Sequence, residues 1–173
     1  SFDDGFRNII KNALPILSKH QIPSSFFVPT SIIDADYNTV RDYCLKTTNY
    51  PDVIEMATWD DLKMATSCGM SVASHTRTHQ RFSEISNDLS RLEEEIVGSK
   101  EDVERKLGLP CRHISWPFGS VRDADEASLE FVRKAGYASC FGAYRGSVKP
   151  THTSPFSIPR HHFEPQWPNS HFS

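Results

Sequence analysis

No stretch of the sequence approaches the roughly 18 consecutive apolar residues that a membrane-spanning helix requires. Excess charge of one sign is also missing. Lys and Arg number 19 against 22 Asp and Glu, a net charge of −3 with neutral histidines, so no bulk positive field exists to hold DNA or an anionic membrane. The four cysteines, Cys44, Cys68, Cys111 and Cys140, include no C-x-x-C pair, which argues against a cysteine zinc module or a thioredoxin-type redox site. They read as free thiols, with one or two disulfides left open for an exported protein. There is no internal repeat, low-complexity tract, domain linker or visible signal peptide. The chain opens on Ser1 without an initiator Met and reads as a mature product or an excised domain.

What is present suffices for one domain with a sizeable core: 173 residues, 38% hydrophobic and 11% aromatic. Short apolar runs bounded by Gly, Pro or Ser predict strands at Ser25–Val28, Met70–Ser74, His113–Trp116, Ala138–Phe141 and Phe156–Ile158. Helical periodicity predicts helices over 6–20, 58–68, 85–107 and 124–135. The third is the clearest, with Ile85, Leu89, Leu92, Ile96, Val103 and Leu107 on one face. Gly69, Gly108 and Gly136 follow three of these helices as stop signals, and Pro15 should kink or divide the first. The segment 34–57 and the proline-rich tail from Lys149 read as loops. Alternating strands and helices with short connections define an α/β fold around a mainly parallel sheet. A full eight-unit barrel needs about 250 residues, so a barrel here would be reduced or distorted.

In such folds reactive side chains gather where strands end and helices begin. Three segments qualify. Phe2-Asp3-Asp4-Gly5 precedes the first helix. Adjacent carboxylates repel, and a bound cation removes that cost, leaving one Asp as ligand and its neighbour as base; a helix cap followed by a turn is the competing reading. Ser74-His75-Thr76-Arg77-Thr78-His79 follows a strand and carries two imidazoles four residues apart, suited to zinc, nickel, cobalt or iron. Thr76 stands where the metalloprotease H-E-x-x-H motif has its Glu, so that reading fails. Ile114-Ser115-Trp116-Pro117-Phe118-Gly119 is a strand stopped by Pro and Gly. Its turn can present a backbone N–H, and Trp116 and Phe118 can form an apolar wall for a sugar ring.

These three motifs, in this order and spacing, resemble the polysaccharide deacetylase family, carbohydrate esterase family four with its nodulation-protein-B homology domain. The resemblance spans nearly the whole chain, helped by Ala13-Leu14-Pro15-Ile16-Leu17, Ile22-Pro23-Ser24-Ser25-Phe26-Phe27-Val28, and Trp59 with Leu62. It implies one catalytic domain over residues 1–173 with a distorted, reduced (β/α) barrel, and native residues missing before Ser1. It also implies metal-dependent removal of acetyl groups from N-acetylated, or O-acetylated, polysaccharides. By that resemblance Asp3 is the general base, while Asp4, His75 and His79 hold a divalent metal, most often zinc. Trp116 and Phe118 bind substrate, and the Phe118 N–H supports the oxyanion. An extracytoplasmic, cell-envelope location follows from the family alone, as does a glycan partner.

Two departures stand out. Many members carry an Arg where this chain has Ser115, so another residue must orient Asp3; Arg160, in Ile158-Pro159-Arg160, is the candidate. The family's late catalytic His has no clean counterpart, and His161 and His162 lie in the right part of the chain. His20, His113, His152 and His171 have no evident partners. Two other functions stay open: hydrolysis of a small-molecule amide C–N bond, and a carbohydrate-binding pseudoenzyme.

Overall fold

A computed structural model describes residues 1–163; His171 lies outside the described residues. Four strands, β1 (Ser25–Val28), β2 (Ser71–Ser74), β3 (His113–Ser115) and β4 (Ser139–Phe141), form a parallel sheet in the order β1-β2-β3-β4. Register pairs Val28 with Ser74, Ser74 with Ile114 and Ser115 with Phe141, so the C-terminal strand ends lie level along one edge. Single parallel bridges extend the sheet on both sides. Phe2 pairs with Phe26 beyond β1, and Ile158 pairs with Phe141 beyond β4. The expected strand at Phe156–Ile158 is reduced to that one bridge, because the chain turns over Ser154–Ser157 immediately before it.

The crossovers are helical. Helix α1 (Arg7–Lys19) precedes β1, and α2 (Tyr37–Asp42) and α3 (Trp59–Ser67) lie between β1 and β2. Three segments, α4 (Phe82–Ile85), α5 (Leu89–Leu92) and α6 (Gly98–Leu107), lead to β3, and α7 (Glu126–Lys134) leads to β4. Thr58 with Asp61, and Asp125 with Ser128, form capping boxes that start α3 and α7. Gly69, Gly108 and Gly136 take positive φ after α3, α6 and α7, as helix stops should.

Three expectations need correction. Pro15 does not divide α1. It sits on the exposed side of the helix, so the Lys11 carbonyl that it leaves unbonded can face water, while Ile10 and Leu14 bury the opposite face. The helix expected over 85–107 is broken at its start: Ile85 ends α4, and Asp88 accepts the Arg91 N–H at 3.1 Å to begin a new helix at Leu89. From there a π turn, Glu93–Val97, joins α5 to α6 and turns Glu95 as well as Ile96 into the interior. The segment 34–57 is not all loop. Asp36 caps α2 through the Asn38 and Thr39 amides, and α2 runs into a second π turn, Tyr43–Thr47, that buries Tyr43 and Cys44.

Phe82, Leu62, Ile85, Leu92, Ile96, Ile114 and Trp116 are fully buried between the helices and the sheet. All four cysteines are free, with Cys44, Cys111 and Cys140 buried and Cys68 exposed. Burial pushes the Cys111 thiol up to about 11.

Candidate active site

The Phe2 amide bonds to the Ser25 carbonyl and the Phe2 carbonyl to the Phe27 amide, so Asp3 and Asp4 emerge at the C-terminal edge of the sheet. Asp4 and Gly5 then adopt φ values of 70° and 72°, a left-handed pair that turns the chain sharply into α1. The two carboxylates go to different partners. Asp3 receives Arg160, whose Nη1 and Nη2 donate to Oδ1 and Oδ2 at 2.7 and 2.6 Å. Arg160 is itself held by the Gly142 carbonyl at 2.8 Å and lies over the rings of Phe27 and Phe141.

Asp4 faces the histidines. Its Oδ1 is 3.3 Å from His79 Nε2 and 3.6 Å from His75 Nε2, and the three ligand-type atoms lie within 4.8 Å of one another. Tyr43 and Tyr50 hydroxyls donate to the same carboxylate at 3.3 and 3.5 Å. Burial would raise the Asp4 carboxyl, but hydrogen bonds and charge from His75 and His79 outweigh it and hold it well below the usual carboxylate range. Burial pulls His75 down, yet Asp3 and Asp4 more than offset this and raise it, whereas burial leaves His79 lowered.

His75 Nδ1 is 2.9 Å from the Ser115 carbonyl and 2.7 Å from Ser115 Oγ. A carbonyl only accepts, so Nδ1 carries the hydrogen, and when the ring is neutral it turns a bare Nε2 lone pair toward the Asp4 carboxylate. Two acceptors facing each other need a proton or a cation between them. Two imidazoles and one carboxylate around that point fit a divalent ion of the zinc type, with His75 already oriented by its second nitrogen. Ser115, in the position where many family members have Arg, serves His75 instead of Asp3.

Backbone strain collects here. Of the non-glycine residues with positive φ, Asp4, Thr76, His79 and Phe118 all border the Asp–His–His cluster. A cavity of about 480 Å³ opens over it, lined among others by Asp3, Asn49, Tyr50, Phe118 and His162. Phe118 is 39% exposed, leans edge-on against His79 with 4.9 Å between ring centroids, and carries the Arg81 guanidinium 3.5 Å from its ring centre. Arg81 is paired in turn with Asp123. Trp116 also lines the cavity but is only 1% exposed, its indole N–H bonded to the Ser120 carbonyl at 3.0 Å. The open apolar surface is therefore Phe118, with Trp116 beneath as floor. Gly119 allows the turn, since a Cβ there would collide with Ala143.

His162 borders this cavity and also, with His161, a neighbouring one that shares Asp3 and Asp4 with it. His113 and His152, unpartnered in the sequence reading, bond Ser139 Oγ and Thr151 Oγ1 at 2.7 and 2.8 Å. Tyr43 and Tyr50 bond Asp4 without having been singled out, and Ser115, noted only for the Arg it replaces, bonds His75.

A parallel α/β sheet thus brings Asp4, His75 and His79 together at its C-terminal edge as a set that could hold a metal ion. The family model for polysaccharide deacetylase matches residues 1–140, and the chain belongs to that family of enzymes acting on carbon–nitrogen bonds. No curated protein sequence matches it. Its structure is similar to that of IcaB from Ammonifex degensii (21% identity, TM-score 0.71, 95% of this chain and 66% of that one). It is also similar to the deacetylase domain of BpsB from Bordetella bronchiseptica (20%, 0.73, 92% and 68%). A de-N-acetylase from Aggregatibacter actinomycetemcomitans gives 18%, 0.75, 99% and 71%. At these identities the likeness is one of fold, and the chain spans just under two thirds of the length of IcaB.

Proposed function

We propose that this chain is a metal-dependent deacetylase domain that removes acetyl groups from an N-acetylated glycan, and that it works outside the cytoplasm. The observation that carries the reading is the placement, in one open cavity, of the Asp4–His75–His79 cluster beside an Asp3 carboxylate clamped by Arg160. The de-N-acetylase among the structural neighbours supports the choice of an N-acetyl group.

In this proposal Asp4, His75 and His79 hold a divalent ion, zinc in the first instance. Such an ion supplies Lewis acidity toward the acetyl carbonyl and lowers the pKa of a water. Asp3 takes the proton of the attacking water. Its two oxygens are fixed by Arg160, so each keeps a lone pair in a set direction and the carboxylate cannot swing onto the His75 side. Tyr43 and Tyr50 orient Asp4 by donating to it. The Phe118 backbone N–H stabilises the developing oxyanion, its ring takes the sugar, and His162, which borders the cavity, protonates the leaving amine. Replacing Asp3 with Asn should leave metal content intact and abolish acetate release from N-acetylglucosamine oligomers; retained release would remove the base assignment.

A further inference from the structure

The loop that carries both histidines has every backbone N–H satisfied, and one side chain from a distant helix accounts for two of the five bonds. His75 N–H donates to the Val28 carbonyl at 2.9 Å, Thr76 N–H to Ser74 Oγ at 3.0 Å, and His79 N–H to Thr76 Oγ1 at 3.0 Å. The amides between, of Arg77 and Thr78, both donate to Glu95 Oε2, at 3.0 and 2.8 Å, and the Thr78 hydroxyl donates to Glu95 Oε1. Glu95 is 4% exposed and lies in the π turn between α5 and α6. An α-helical continuation would rotate its position around the helix; the inserted residue is what aims it at the loop.

The loop needs such an anchor because it is strained. Thr76 and His79 hold φ of 66° and 68°, a conformation that non-glycine residues keep only where the surroundings impose it. The angle between the two imidazoles is set by these dihedrals, and no glycine stands in the loop to favour them.

We propose that Glu95 is a positioning residue for the metal site: by accepting from Arg77, Thr78 and the Thr78 hydroxyl, it locks the loop so that His75 and His79 converge with Asp4. The inference rests on the metal reading above. Its chemistry makes a distinction that burial alone does not. A Gln at position 95 can accept both amides on its one carbonyl oxygen, in the place of Oε2, while its NH₂ donates to a Thr78 hydroxyl turned to accept. The charge is then dispensable and the hydrogen-bond pattern is not. An Asp, one methylene shorter, cannot reach.

The experiment measures cobalt(II) and zinc affinity of the full chain and its Glu95→Gln, Glu95→Asp and Glu95→Ala variants, with the cobalt ligand-field spectrum as a record of geometry. Each is measured below its own melting temperature. Val103→Ala, which opens a cavity in α6, serves as a control for lost stability alone. Loss of outer-shell support typically weakens metal binding about 10–100-fold. The expected result is a loss of that size with an altered spectrum in Glu95→Ala and Glu95→Asp, near-native values in Glu95→Gln, and unchanged affinity in Val103→Ala. Unchanged affinity and spectrum in folded Glu95→Ala would overturn the proposal, as would a fall in Val103→Ala matching that in Glu95→Ala. A starting protein that binds neither metal would overturn the metal reading itself.

Discussion

Arg160 and Asp3, 157 residues apart in the chain, form a two-bond ion pair at 2.6 and 2.7 Å that links the two outer positions of the sheet. Phe2 is bridged to β1 on one side and Ile158 to β4 on the other, and no backbone pairing joins them among the described residues. The open side of the sheet is thus spanned at its C-terminal edge by a guanidinium. The same contact fixes the carboxylate proposed as base, so structure and chemistry meet in one pair of side chains.

Arg160→Ala is expected to lower turnover on the order of 10²-fold, the scale of a misplaced catalytic group, in a protein that remains folded. Arg160→Lys should not restore it, because an ammonium cannot hold both carboxylate oxygens in a plane. Steady-state acetate release with circular dichroism as the folding check decides this; a near-normal rate in either variant would contradict the clamp.

Zinc binding should tighten as pH rises. His75 is raised above its ordinary 6.5 in the metal-free protein, so zinc must displace a proton there until the pH exceeds that raised value. The sign for stability agrees: a raised histidine stabilises the metal-free fold at low pH, and this contribution is lost as pH climbs through the folded-state pKa. His79, by contrast, is lowered by burial and so does not share this raised proton. The zinc-induced increase in melting temperature should therefore be larger at pH 8 than at pH 6; an equal or reversed difference would refute the assignment.

His75 and His79 were legible as candidates because they follow an apolar run, and Asp3 and Asp4 because they precede the first helix; a parallel sheet brings such ends together, and Asp4 does lie within reach of both histidines. Arg160 was legible for the same reason, although only the three-dimensional structure shows Ile158 placed beside β4 to deliver it. The supporting residues were not legible. Glu95 reaches the histidine loop only because of a π turn, and no residue pattern announces one. Tyr43 and Tyr50 come from the segment 34–57, which has too few apolar residues for a helical period and read as a loop. Ser115 touches His75 across two strands, a relationship set by register.

Gly119→Ala is expected to destabilise the fold by more than about 1 kcal/mol, since φ is +74° and a Cβ meets the backbone of Ala143. Gly69→Ala, at φ +82° but with open space around it, isolates the conformational part and should cost less. Denaturant unfolding of both variants makes the comparison; equal losses would show that the Ala143 contact contributes nothing.

Thiol reactivity should divide the cysteines. Cys68 is exposed and should react with a disulfide reagent in the folded state. Cys111, pushed up to about 11, and the buried Cys140 should react only on unfolding. Titration before and after denaturation reads this directly, and fast modification of Cys111 in the native protein would contradict the packing described.

The most direct test is the metal content of the purified protein, measured together with acetate release from N-acetylglucosamine oligomers before chelation, after it, and after zinc or cobalt is restored. The account predicts close to one equivalent of metal, release that is lost on chelation and recovered on re-addition, and loss of metal in Asp4→Ala, His75→Ala and His79→Ala. Release that persists after chelation, or a folded protein that takes up no metal, would contradict it.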